Sequence, residues 1–421
     1  MQNRRTIVKT FLATLTTMSA GSGAFAQSSI GNWNQGGGGG ANQASTTTRV
    51  ISDFGVSPMV TPNSYNAMLK AIARYEIIVA RGGWPKIPQT RILVRGSKNK
   101  IVKLLKKRLA AEGYLPVIYL TKTSKKFDDE THKGLVTYQK ANGLHALGRL
   151  DRPTRQALSV SAQSRLATLK ANLPRIKEAT KKLGDRYVMV NIPATQLDAV
   201  EYGVVYSRHN VIAGQSSRPS PILNSRITEL NFNPYWNAPV SIVKKDILPK
   251  LQKSLSILKD LDIKIFDGYG GPEIDPKQVD WKTADPKRYH FRQQPGEGNA
   301  MASVKINFPN KYAVYMHDTP TKRLFGAGQR YFSSGCVRID KVHLLTDWLL
   351  KNQEDWNPKK IQSVVKSGDR TDVKVIRPTQ VRFVYLTAWV TADGVTHFRN
   401  DIYKLDGTGF VTGQPRALTD S

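Results

Sequence analysis

Apolar positions along this chain keep a helical period through its first part and then change to alternation. Met68, Ile72, Tyr75 and Val79 recur at three- and four-residue steps and predict an amphipathic helix over 64–79, closed by Gly82-Gly83. Ile101, Leu105 and Leu109 line one face of a second helix, with Lys103, Lys106 and Lys107 off it. Asp128 caps a third helix that carries Leu135 and Tyr138. Asp151 caps a fourth that carries Leu158, with Pro153 tolerated in its first turn. Leu166, Leu169 and Leu173 extend the period into a connecting helix over 164–182, where Pro174 is expected to introduce a kink. Alternation starts near Arg186 and predicts Val188–Ile192 and Val204–Ala213 as adjacent antiparallel strands, with a turn at Glu201-Tyr202-Gly203. Further strands are expected near 304–308 and 313–316, and a helix after Asp340 that buries Val342, Leu345 and Leu349. Two last alternating runs meet at Ala392-Asp393-Gly394, a hairpin signal. Between about 251 and 292 the pattern is lost among Gly268, Gly270, Gly271, Pro272 and Pro276, which predicts an inserted loop of the kind that serves as a lid. Trp281, Tyr289 and Phe291 would supply its contact face or the packing beneath it. The chain reads as a multidomain α+β protein.

The ends of the chain set the compartment. Arg4, Arg5 and Lys9, an apolar run from Phe11 to Met18 and Ala24-Phe25-Ala26 predict a secretory signal peptide cut after Ala26, hence a periplasmic, cell-wall-associated protein. The Arg4-Arg5 pair also resembles a twin-arginine signal, and general secretion is the preferred route. Residues 27–49, with five consecutive glycines, predict a disordered tether. No later stretch is long and apolar enough for a transmembrane helix in the mature chain. The formal charge of +31 would suggest nucleic acid, but export excludes that partner and leaves envelope polyanions: stem carboxylates, lipopolysaccharide phosphates and anionic headgroups. The last dozen residues are expected to fray.

Candidate chemistry centres on Cys336, the only cysteine of the 421 residues. An exported protein meets an oxidising compartment, where a lone thiol can form no internal disulfide and is a hazard unless chemistry requires it. His317, nineteen positions earlier, is the candidate base, since an imidazole can take the thiol proton and later give it to a leaving amine. Ser333-Ser334-Gly335 lets the backbone bend tightly before Cys336, so that the Gly335 and Cys336 amides could face a developing oxyanion. Arg338 offers a planar fork for a substrate carboxylate, or else a salt bridge that fixes the loop. His343 is expected on a helix surface.

His317-Asp318-Thr319-Pro320 followed by Ser333-Ser334-Gly335-Cys336-Val337-Arg338 resembles the signature of the L,D-transpeptidases with a YkuD-type catalytic domain, in the YcbB-like branch. Ser334 stands where most of the family has histidine, which leaves His317 alone as base. Residues 91–162, with the aromatic-Gln-x-x-Asn-Gly-Leu turn Tyr138–Leu144, resemble a three-helix peptidoglycan-binding domain, and ARGGWPKIP the scaffold that embraces it. The resemblance implies a helical scaffold over 50–90, a connecting helix over 163–183, a mainly antiparallel β catalytic domain over 184–377 with a capping insertion, and a C-terminal hairpin and tail over 378–421. It implies a thioester on Cys336, release of D-Ala, and a diaminopimelate-to-diaminopimelate cross-link in peptidoglycan, with no cofactor or metal. It places Tyr315 and Thr319 in the cleft, and Arg292, Gln293 and Asn299 at a turn beside it, Asn299 as a substrate contact. The Asp318 carbonyl would orient His317, with the Asp318 carboxylate as rival. Other acceptors stay open, namely water or a lysine of an outer-membrane protein, as does a non-catalytic wall-binding scaffold.

Overall fold

The computed structural model describes residues 49–50 and 56–408. The expected signal peptide, nearly all of the tether and the last dozen residues lie outside them. The described chain forms two compact units, residues 237–293 and the remainder.

In the larger unit the helical period gives α1 (Ser64–Ala80), α2 (Lys100–Ala111), α3 (Asp129–Ala141), α4 (Arg152–Leu158) and α5 (Ala162–Thr180). Their starts follow the expected caps: Asp128 accepts the Thr131 amide at 2.9 Å and Asp151 the Thr154 amide at 3.0 Å, each filling one orphan donor of a first turn. Helix α5 continues through Pro174. Leu105, Leu109, Phe127, Leu135, Tyr138 and Leu158 close the small core shared by α2, α3 and α4. That domain is tied to the scaffold by a polar clamp. Arg108, fully buried, lies 3.6 Å from the Trp84 ring centre and pairs with Glu112, which accepts 2.7 Å from the Tyr75 hydroxyl. The Asn-Gly-Leu turn is used in the same docking: Asn142 accepts from Arg165 at 2.7 Å, and the Arg399 side chain lies where a Gly143 Cβ would stand.

The strands are β1 (Arg49–Val50), β2 (Arg186–Asn191), β3 (Gln196–Glu201), β4 (Val204–Gly214), β5 (Leu223–Phe232), β6 (Val304–Asn307), β7 (Met316–His317), β8 (Tyr331–Ser333), β9 (Val337–Ile339) and β10 (Thr371–Val384). Their order β4-β9-β7-β6-β5-β10-β2-β3 returns to β4, so the sheet closes on itself and eight strands are left without a free edge. Pairing is mainly antiparallel, with β7–β9, β10–β2 and β8–β4 parallel. Two expectations are corrected. The strands 188–192 and 204–213 are not neighbours, because β3 lies between them and the Tyr202-Gly203 turn joins β3 to β4. The expected boundary at 377 falls inside β10, whose second half pairs with both β2 and β5. The final hairpin forms as Ala388–Val390 against Thr396–Phe398.

Alternation on β2 buries both faces. Val188 and Val190 enter the barrel core with α6 (Val342–Leu350) and α7 (Pro358–Ser367), while Tyr187 and Met189 pack beneath α1 and α5.

Residues 237–293 are more than a loop. Ile263–Asp267 and Tyr289–Gln293 pair antiparallel, and short helical turns precede them. Trp281 is buried, with ring contacts to Tyr289 and Phe291 at 5.2 and 5.8 Å, and its indole donates to the Pro276 carbonyl at 2.8 Å. These aromatics are the unit's own packing.

Candidate active site

Parallel pairing of β7 and β9 sets Met316 opposite Val337 and His317 opposite Arg338. Lys305 of β6 lies on the other side of His317, Asn231 of β5 beyond it, and Asp372 of β10 beyond that. Met316, Ile306 and Val337 fill the core, so alternation turns Arg338, His317 and Lys305 together onto the opposite face. Two residues before this row, and so on the same face, the register brings Tyr315 level with Cys336.

The thiol meets opposed influences. Burial pushes its pKa up, while a backbone hydrogen bond from Tyr315, the Arg338 and Lys305 cations and the Tyr315 hydroxyl pull it down, with burial the stronger. His317 is 6% exposed and its pKa is lowered to about 3, first by burial and then by Arg338, against the Asp318 backbone that favours its charged form. Among the described residues its Nδ1 has no hydrogen-bond partner. The site therefore rests with a neutral thiol and a neutral imidazole, not as an ion pair. Tyr315 packs edge-on to His317 at 5.5 Å, lies under Lys305 at 4.6 Å, and also bonds Trp236.

The Cys336 loop is held by hydroxyls. Gly335 has φ +113°, a conformation side chains rarely adopt, and its carbonyl accepts 2.8 Å from Ser220 Oγ. Ser220 Oγ also accepts the Gly214 amide at 2.9 Å, and the Tyr403 hydroxyl accepts the Ser220 amide at 3.1 Å. Ser333 Oγ donates to the Cys336 carbonyl and accepts the Gly335 amide at 3.2 Å.

Several predicted site residues thus take other places. The Gly335 amide already donates to Ser333, so the expected oxyanion pair reduces to Cys336's own amide. Ser334 accepts from Arg218 at 2.8 Å. Thr319 is 1% exposed and its hydroxyl accepts the Thr321 amide, which makes it a turn residue. Asn299 is 2% exposed, and its amide nitrogen donates to the carbonyls of Pro234 and Gln294 at 3.0 and 2.7 Å. It staples its own loop because both of its donor hydrogens are used there. Gln293 likewise is buried and donates to the Leu261 carbonyl at 2.8 Å. The salt bridge considered for Arg338 does not form among the described residues, and its charge acts on Cys336 and Tyr315. The Asp318 carboxylate turns away to Lys322 and Ser303, so the rival orienter of His317 is removed. His343 is half-buried, with its Nε2 2.8 Å from Ser303 Oγ, and is no surface residue.

Sequence reading missed Lys305, Trp236, Ser220 and Tyr403. Lys305 was findable, since Ser-Val-Lys-Ile-Asn-Phe alternates and places Lys305 on the polar face. Ser220 lies 115 positions before Gly335 and Tyr403 67 positions after Cys336, with no local motif to mark them.

Comparison with known proteins agrees with this architecture. Residues 185–375 match the family model "L,D-transpeptidase catalytic domain" of the YkuD type, and residues 98–158 match "Putative peptidoglycan binding domain". A protein of Haemophilus influenzae described as "Putative L,D-transpeptidase" is 33% identical over 220 residues, covering 52% of this chain and 44% of that protein. The chain thus matches less than half the length of that relative. Crystal structures of L,D-transpeptidases from Xylanimonas cellulosilytica and Stackebrandtia nassauensis are 15% and 13% identical, cover 70% and 71% of this chain and 98% and 96% of theirs, and have TM-scores of 0.23. The chain carries a YkuD-type L,D-transpeptidase catalytic domain and a helical domain of the peptidoglycan-binding type.

Proposed function

We propose that this protein is a cysteine-dependent L,D-transpeptidase that joins peptidoglycan stems through diaminopimelate. The observation that carries the reading is the shared register of Tyr315 and His317 with Cys336 and Arg338 inside the matched catalytic domain. Because His317 is neutral, it can accept a proton, and because Arg338 and Lys305 are cationic they favour the thiolate over the imidazolium. Substrate binding would complete the activation: Cys336 loses its proton to His317 and its sulfur attacks the diaminopimelate carbonyl of a tetrapeptide. The Cys336 amide stabilises the oxyanion, His317 returns the proton to the departing D-Ala amine, and a thioester remains. The side-chain amine of a second stem then attacks the thioester, yields its proton by way of His317 and leaves an amide and a free thiol. Arg338, with no carboxylate partner among the described residues, binds a substrate carboxylate. The 98–158 domain holds the enzyme on peptidoglycan, and the protein works in the periplasm.

Intact-mass analysis of the protein with disaccharide-tetrapeptide, beside Cys336→Ala, tests this. A Cys336-dependent adduct lacking D-Ala together with a cross-linked dimer is expected. D-Ala release without dimer would assign water or a protein lysine as acceptor, and a folded protein giving neither would leave a wall-binding scaffold.

A further inference from the structure

At the start of β4 a cavity of about 270 Å³ is lined by Asp185, Arg186, Glu201, Tyr202, Arg226 and, from β10, Arg377, Pro378 and Thr379. It is remote from the thiol. Glu201 pairs with Val204 at the first residue of β4, whereas the Cys336 loop meets β4 at its last residues, Ala213 and Gly214. Ten steps of strand separate these ends, about 33 Å at 3.3 Å per residue.

Three arginines, Arg186, Arg226 and Arg377, line the cavity against two carboxylates, Asp185 and Glu201. Arg186 is fixed: its guanidinium lies 4.3 Å from the Trp348 ring centre, donates to the Trp348 carbonyl, and leaves a buried Nε that makes no hydrogen bond. The carboxylate near it, Glu201 at 3.7 Å, is already held by Lys351 and by the Trp348 indole at 3.0 Å. Arg377 adds a second cation whose charge opposes that of Arg186. It is brought there by a break in the register of β10 between Lys374 and Thr379, a departure that bends a strand and re-aims its side chains. Arg226, whose guanidinium donates to the Pro378 carbonyl at 3.2 Å, holds that stretch and supplies a third cation. Among the described residues neither Arg226 nor Arg377 forms a salt bridge. At the rim, Tyr202 sits at φ +52° in the hairpin turn with its side chain exposed, at a position where glycine or asparagine is the ordinary occupant.

We propose that this cavity is an anion site for a sugar bearing a phosphate or carboxylate group. Arg186, Arg226 and Arg377 take the oxyanion in forked hydrogen bonds, and the Tyr202 ring stacks on the sugar face. An anion would also relieve the opposition of Arg186 and Arg377. The site is independent of Cys336 and would hold an envelope polymer at the far end of the barrel while the thiol works at the other.

Calorimetric titration of the full chain with inorganic phosphate, glucose 6-phosphate, glucuronate and glucose tests the proposal. Both anionic sugars are expected to bind, with glucose 6-phosphate tighter than inorganic phosphate and glucose silent. Arg226→Ala/Arg377→Ala should weaken glucose 6-phosphate at least tenfold, while Lys359→Ala/Lys360→Ala on α7 should leave it within twofold. Tyr202→Gly should weaken the sugar phosphate and spare inorganic phosphate. Without ligand, Arg377→Ala should melt no lower than the parent, because it removes a cation that opposes Arg186, and its thermal upshift with glucose 6-phosphate should vanish. Equal loss in the two paired variants would overturn the site in favour of diffuse attraction to a basic surface. So would unchanged binding by the arginine variant, or a parent that binds none of the probes.

Discussion

At Cys336 burial and charge pull in opposite directions, and burial wins. Rapid alkylation of the resting thiol is therefore no signature of activity here: capture by iodoacetamide at pH 7 should be slower than that of free cysteine even in a competent enzyme. Lys305 is one of the cations that restrain the upward shift. Two charges a few ångström apart near a surface interact by about 1 kcal/mol or more, so Lys305→Met should slow capture at pH 8 several-fold and move the pH–rate midpoint upward. An unchanged midpoint would place Lys305 outside the thiol's field. A second consequence concerns His317 and His397, both lowered to about 3, in each case by burial first. Between about pH 3 and 6.5 the unfolded chain binds protons at these positions that the folded chain does not. Their neutral forms thus support the fold above pH 6.5, and stability falls as pH drops through that window. Urea midpoints should decline from pH 7 to pH 4.5. His397 stacks on Trp389 with ring centres 4.9 Å apart, so His397→Phe should flatten that decline while leaving the thiol's chemistry intact.

On the scale of elements, the nucleophile loop is governed by one backbone angle and a few hydroxyls. A side chain at Gly335 would be strained at φ +113°, at a cost of about 1–3 kcal/mol. Gly335→Ala should lower stability by that order and activity by more, because the displaced segment carries Cys336. Ser220→Ala removes the donor to the Gly335 carbonyl and the acceptor of the Gly214 amide, at about 1–3 kcal/mol. It should reduce kcat with little change in KM, whereas a merely structural loss would lower Tm and spare kcat. The loop's glycine was legible, since the tight bend before Cys336 follows from Ser333-Ser334-Gly335. Its supports were not, because Ser220 and Tyr403 reach it through pairing across the barrel. Asn299 went wrong for a related reason: an asparagine in a Gly-rich turn fits a ligand contact or a backbone staple equally well, and only the nearby Pro234 and Gln294 carbonyls decide.

Across the whole larger unit, the 98–158 domain is joined to the scaffold by a buried pair rather than by a flexible link. Arg108 and Glu112 are both buried, and Trp84 and Tyr75 close over them. Arg108→Met would strand the Glu112 charge, at about 3–5 kcal/mol. The exposed pair Arg95–Asp129 at 3.1 Å gives the contrast, since Arg95→Met should change stability by about 0–1 kcal/mol. Chemical denaturation of the two variants checks both, and comparable losses would show that the clamp does not bear on stability.

The sequence by itself determined what local chemistry can determine. Apolar spacing placed α1 to α5 and the caps Asp128 and Asp151, because a helix satisfies its backbone within a few residues of chain. Alternation placed most strands, and the lone cysteine, its glycine and His317 marked the candidate centre. Tertiary structure decided which strands pair. A period of two says which face a residue takes but not which neighbour it meets, so the insertion of β3 between β2 and β4 and the closure of the barrel were invisible. It also decided the electrostatics. The charge states of Cys336 and His317, the pairing of Arg108 and the gathering of Arg186, Arg226 and Arg377 all depend on burial and on charges brought close by residues distant in sequence, which no window along the chain contains.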